Sequence, residues 1–256
     1  MGALFAVYKR EVTLYYKSFI AYAITFALML FHGILFQAEI SIAYTVIGQG
    51  GQADNAANIV IGLLYTFVFI LFVVSPVLAM RLISEESREG TLETLMTLPI
   101  SDWVFVVGKF LAAWTFYTFL LGLTLIHLLL LAQLGTINYG VIGVAYLGAW
   151  LYGGATIAVC MIWSAITEDQ LVAAFLGVTT VLALFLASQL GQIFEGNLLA
   201  ANVSQFVREL GLQSHFQDTM LVGLLRGEDV AYFVLMILVS LFITTLIVGT
   251  RRWRAS

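Results

Sequence analysis

Residues 59–80 read IVIGLLYTFVFILFVVSPVLAM, an apolar stretch without a charged side chain until Arg81. A helix needs about 20 apolar residues to cross the hydrocarbon core of a bilayer. Lipid offers the backbone no hydrogen-bond partners, so only helices and closed barrels cross it. Barrel strands alternate polar and apolar residues over about ten positions, and this stretch does not alternate. Similar runs occupy residues 18–38, 104–134, 141–166, 171–193 and 230–250, and the quoted stretch, taken to Arg81, is the second span at 59–81. The prediction is an all-α integral membrane protein with six transmembrane helices, forming a single transmembrane domain over 1–256.

Composition agrees. The chain is 61% hydrophobic and 10% charged, with a mean hydropathy of +1.00, whereas soluble domains are roughly 45–50% apolar and about 25% charged. A net charge of -4 and the lack of a basic arm argue against a nucleic-acid partner. Cys160 is the only cysteine, so an intrachain disulfide is excluded, and no Cys/His spacing suggests a metal site.

The segments between the runs carry their own patterns. Residues 1–17 form an amphipathic segment with Leu4, Tyr8, Val12, Tyr15 and Phe19 on one side and Lys9, Arg10, Thr13 and Lys17 on the other. That division suits a helix lying in the headgroup layer; a charged leader before the first span is the alternative. Residues 39–58, rich in Gly, Gln and Asn, read as a flexible loop, and 194–229 as a more organised segment. In the latter, Asn202 is placed to cap a helix ending at Gly211, and Ser214 with Gln217 has capping-box spacing. Phe216, Met220, Leu221 and Leu224 would form one apolar face, with Asp229 capping the sixth span. These helices are expected to lie on the outer surface or dip into it. Spans three and four are joined around Asn138, and Thr167 with Gln170 has capping-box spacing before span five.

Orientation follows from the basic residues. An even number of spans puts both termini on one side, together with Lys9, Arg10, Lys17, Arg81, Arg88, Lys109, Arg251, Arg252 and Arg254. Only Arg208 and Arg226 fall opposite, so nine of eleven mark the terminus side as cytoplasmic.

The cytoplasmic loop 82–103 is the most distinctive of these segments. Gly90 and Thr91 break the charged extension of span two, and Leu92, Leu95 and Met96 recur on one helical face, with Glu93 on another. Pro99 ends that helix, and Ser101 or Asp102 starts the next. A stubby amphipathic helix between two spans suits force transfer from a soluble partner. It equally suits a helix resting in the headgroup layer.

The pattern Glu85-Glu86-x-x-x-Gly90-Thr91-Leu92-Glu93-x-Leu95-x-x-x-Pro99 resembles the motif of ABC-2 type permeases, the membrane subunits of ABC exporters. The likeness is greatest to the subgroup of gliding-motility and nitrous-oxide-reductase maturation systems. It extends over the whole chain, including Thr167-x-x-Gln170 and Leu212–Phe216 followed by Arg226-Gly227. The resemblance implies a homodimer or pseudo-dimer in the inner membrane. Each permease would insert the helix at 91–98 into a cleft on a cytosolic ABC ATPase, as a coupling helix, with Glu85 and Glu86 nearby. ATP and Mg would be bound by that partner. This chain has no Gly-x-x-x-x-Gly-Lys-Ser/Thr phosphate loop, so it is not expected to be an enzyme or to hold a cofactor.

Polar residues within spans are functional hypotheses by default. His32, His127, Gln189 and Gln192 are the candidates, either along a pathway or in interhelical hydrogen bonds. Ser75-Pro76 should bend span two, and Gly148, Gly153 and Gly154 read as close helix packing. Two other functions fit the composition: a membrane anchor or scaffold for a soluble complex, or a proton- or ion-conducting protein using His32 and His127.

Overall fold

The computed structural model describes residues 2–49, 56–90, 100–133, 137–194 and 201–254. Its helices are α1 Ala3–Lys17, α2 Phe19–Gly48, α3 Ala56–Ala79, α4 Ser84–Arg88 and α5 Asp102–Leu131. They continue with α6 Tyr139–Ile166, α7 Gln170–Phe194, α8 Ala201–Glu209, α9 Leu212–Phe216 and α10 Gly227–Arg254, with a 3-10 turn at Met220–Val222. Six of these (α2, α3, α5, α6, α7 and α10) are long and apolar enough to cross a membrane. Among the described residues the fold is all-helical, as expected.

The bundle is organised around α6, which packs against α3, α5, α7 and α10. Small residues make that position possible. A Cβ at Gly154 would lie 2.8 Å from the Trp114 ring, one at Gly148 the same distance from Met220, and one at Gly153 would strike the Tyr117 ring. Through these gaps the Tyr117 hydroxyl donates to the Ala149 carbonyl at 2.6 Å. The Trp114 indole N–H donates to the Trp150 carbonyl at 3.1 Å, and the two indoles stack 4.2 Å apart. Each acceptor is a helical carbonyl using its second lone pair. Ser75 and Thr156 pair at 2.8 Å beside Pro76, joining α3 to α6.

Several expectations need correction. The first long helix does not end at residue 38 but runs to Gly48, so residues 39–48 are helical and not loop. Serine and threonine there bond back along the helix, Ser41 to the Gln37 carbonyl and Thr45 to that of Ser41. Thr167 and Gln170 do not form a capping box. The cap is Asp169, whose Oδ1 accepts from the Leu171 and Val172 amides at 2.8 and 3.3 Å, while Thr167 Oγ1 accepts from the Asp169 amide. Asn138 caps α6 by the same geometry.

In the segment before α10, Asn202 lies inside α8 and is not its cap. Ser214 lies inside α9, its hydroxyl donating to the Arg208 and Gly211 carbonyls, while Ser188 of α7 accepts the Ser214 amide at 3.1 Å. A helix start satisfied from another helix has no local spacing to reveal it. Phe216, Met220 and Leu221 are buried but Leu224 is 52% exposed. Gly223, at φ +88°, turns the chain left-handed between them, which other residues rarely tolerate. Asp229 sits within the first turn of α10 and turns its carboxylate to His215 rather than capping the helix.

Candidate functional site

At the end of the bundle that carries the chain terminus, α1 lies against α5. Tyr15 stacks on Phe116 at 5.3 Å, and Tyr8 shares a hydrogen bond with Thr115 at 3.1 Å. Gly108 lets the two helices approach, since a Cβ there would come within 2.8 Å of Val7. Tyr15 also donates its hydroxyl to the Leu78 carbonyl at 2.8 Å. Burial, with a smaller contribution from Glu11, holds that phenol well above its usual pKa, so it stays a neutral donor.

Four charges meet in this contact. Lys109 Nζ lies 3.0 Å from Glu11 Oε1 and 3.1 Å from Glu86 Oε2, and Arg10 reaches Glu86 at 3.3 Å. Lys109 is 2% exposed, and Glu11 and Glu86 are each 6% exposed. Lys109 also stands 5.1 Å from the centre of the Phe105 ring. Removing such charges from water costs several kcal/mol per ion, which is offset only by close pairing. The cluster therefore fixes α1, α4 and α5 relative to one another.

A second fastening acts on the same stretch from α6. The Ser164 hydroxyl accepts the Ile83 and Ser84 amides at 3.0 and 3.1 Å and donates to the Met80 carbonyl at 3.1 Å. Ser84 returns a bond to the same carbonyl. The chain after α4 turns at Gly90, φ +69°. The stretch 91–99 thus leaves from a segment held by α1, α5 and α6, and returns into α5, which carries Lys109.

Of the coupling residues expected from the sequence, Thr91, Leu92, Glu93, Leu95, Met96 and Pro99 lie outside the described residues, as does the helix at 91–98. Gly90 makes the left-handed turn, Glu86 lies in the charge cluster, and Glu85 lines a cavity beside it. Glu11 was not among the expected site residues, and Lys109 entered the sequence reading for orientation alone. Both left a signal: Lys109 is the lone charge within the 104–134 run, and Glu11 falls at helical spacing between Tyr8 and Tyr15 on the apolar side of α1.

The intramembrane histidines come together. His32 and His127 have ring centres 5.2 Å apart, and His32 Nε2 donates to the Leu63 carbonyl at 2.9 Å. Nδ1 of each ring is buried without a hydrogen-bond partner among the described residues. A cavity of about 10 Å³ lies between them, bordered by Thr124 and Tyr146, whose hydroxyls share a 3.0 Å bond. The space suits one water bridging polar groups. No carboxylate among the described residues lines it, so those residues offer acceptors and hydroxyls but no acid to carry a proton onward. Gln189 is exposed on α7; Gln192 belongs to the same helix, its side chain lying outside what is described. No group of three metal-capable side chains occurs among the described residues.

At the opposite end, His215 Nδ1 lies 2.8 Å from Asp229 Oδ1, and its Nε2 lies 3.0 Å from the Glu209 carbonyl. The ring stacks on Tyr232 at 3.9 Å, whose hydroxyl donates to the Leu210 carbonyl. These bonds tie α8 and α9 to the start of α10.

The family described as "ABC-2 family transporter protein" matches residues 16–187, more than half of the 256-residue chain. No curated protein matches it.

Proposed function

The chain belongs to the ABC-2 transporter family, and from that premise we propose that it is a permease subunit driven by a separate cytosolic ABC ATPase. That partner binds ATP and Mg; this chain converts its movement into displacement of membrane helices. The terminus-bearing end faces the cytoplasm of the inner membrane, in keeping with nine of eleven basic residues. Residues 91–98 form the coupling helix that docks in the ATPase. Two permease chains assemble with two ATPases, as in the gliding-motility and nitrous-oxide-reductase maturation subgroup. The work done is export, or transmission of motion to a partner across the membrane.

The observation that carries the reading is the fastening of both ends of the 91–99 stretch. A push on a docked helix displaces spans only if its flanks are stiff. Here one flank is held by Glu86 and Ser164, and the other by Lys109 at 3.0–3.1 Å from two carboxylates on different helices. Among the described residues no carboxylate lines the His32–His127 cavity, so ion conduction gains no support from it.

Leu95→Asp tests the proposal. A charge on the docking face is costly to bury without a partner. The variant is expected to insert normally yet to lose ATPase co-purification and coupled turnover by about tenfold or more, the change that 1.4 kcal/mol produces. Glu93→Ala should be milder if Glu93 faces water. Normal binding and coupled turnover in Leu95→Asp would refute the coupling role.

A further inference from the structure

Between α1, α2 and the end of α3 lies a cavity of about 100 Å³. Leu14, Ile20, Ile24 and Val77 give it apolar walls, and Leu14, 51% exposed, opens it outward. Two opposite charges stand on its wall, Arg81 in the turn after α3 and Glu85 in α4. The Arg81 Nε is buried without a hydrogen-bond partner. No ion pair or hydrogen bond joins either side chain to another described residue, or the two to each other. The third charge on the wall, Glu11, is held by Lys109 at 3.0 Å, and Tyr15 has given its hydroxyl to Leu78. Ser18 adds a hydroxyl at the corner between α1 and α2.

The height of the cavity is fixed by its surroundings. The apolar helix α2 begins at Phe19, next to Ser18, and α3 ends at Ala79, just before Arg81. Polar lining therefore lies where the spans leave the hydrocarbon, and apolar lining lies where they enter it. A free anion would satisfy Arg81 and meet repulsion from Glu85; a free cation would do the reverse. One ligand class satisfies both and also covers the apolar walls.

We infer that this cavity binds a zwitterionic aminophospholipid of the leaflet on the terminus side. Its phosphate sits on the Arg81 guanidinium, whose planar fork matches phosphate oxygens. Its primary ammonium sits on Glu85, and an acyl chain runs along Ile24 and Val77. A primary ammonium carries three donors; a choline group carries none, so the site distinguishes them. The bound lipid would fasten α1 to α2 and α3 directly beside the charge cluster.

The test is native mass spectrometry of the delipidated full-length protein with phosphatidylethanolamine, phosphatidylcholine or phosphatidylglycerol of identical acyl chains. The wild type is expected to retain the ethanolamine lipid about tenfold better than the choline lipid, equivalent to 1.4 kcal/mol. Arg81→Gln should lose that lipid, and Glu85→Gln should hold the ethanolamine and choline lipids alike. Val77→Phe fills the cavity without touching a charge and should abolish retention while the protein keeps its gel-filtration profile. It decides the matter even where Arg81→Gln fails to fold. Soluble phosphoethanolamine should not displace the lipid; displacement would mean a headgroup site without an acyl-chain groove and overturn the assignment. Equal retention of all three lipids by the wild type, or a preference for phosphatidylglycerol, would also overturn it.

Discussion

Lys109 carries a positive charge into the first turns of α5 and finds two carboxylates waiting, one from α1 and one from α4. Deleting the cation leaves the carboxylates of Glu11 and Glu86 buried side by side, with the half-exposed Arg10 reaching both. Breaking a buried ion pair from one side costs about 3–5 kcal/mol, so Lys109→Met should sharply lower the thermal midpoint of the detergent-solubilised protein. Adding Glu86→Gln should recover part of the loss, because it removes one of two like charges left side by side. Lys9→Met, on the exposed side of α1, should change stability by no more than about 0.5 kcal/mol. Equal midpoints for Lys109→Met and Lys9→Met would show that the cluster does not hold the helices. The lone lysine was visible in the sequence, and a charged residue in a span calls for a named partner. Its partners were not visible, because they come from segments 98 residues before it and 23 before it.

Helices were legible wherever a residue's own neighbours decide its structure. The six long runs could be read by length alone because crossing lipid forces each to satisfy its backbone internally, and the small residues of α6 announced its close packing. What spacing could not show was help from elsewhere. Thr167-x-x-Gln170 has the right interval, yet Asp169 outcompetes it as a short carboxylate one residue before α7. Ser214 has the right interval too, but Ser188 supplies the acceptor from another helix. Glycine and glutamine content suggested a loop over 39–58, although Glu39–Gly48 continues α2. The same long-range logic governs Ser164, whose hydroxyl takes two amides at the turn after α3. Ser164→Ala keeps the side chain small and removes the acceptor, leaving buried N–H groups unsatisfied at about 1–3 kcal/mol. The turn should open locally, so limited trypsin cleavage at Arg88 should accelerate in the variant. Unchanged cleavage would mean that the cluster of charges alone holds this flank.

At the scale of the whole molecule, the asymmetry of charge and the asymmetry of structure coincide. The end with nine of eleven basic residues has the buried charge cluster and the loop 82–103; the other end has α8 and α9 folded against α7. A loop that must meet a soluble ATPase has to share a compartment with it, so the proposed function stands or falls with orientation. Impermeant thiol labelling on intact cells reads this directly in a Cys160→Ala background, where the only native thiol is gone. Probe positions need exposure: Gln213 is only 5% exposed and would report burial rather than sidedness, whereas Leu224 is 52% exposed. Glu89, exposed just before the Gly90 turn, serves the opposite face. Leu224→Cys should be labelled on intact cells and Glu89→Cys only after permeabilisation. The reverse pattern would invert the chain, place residues 91–98 away from ATP, and exclude ATPase docking there whatever the family resemblance implies.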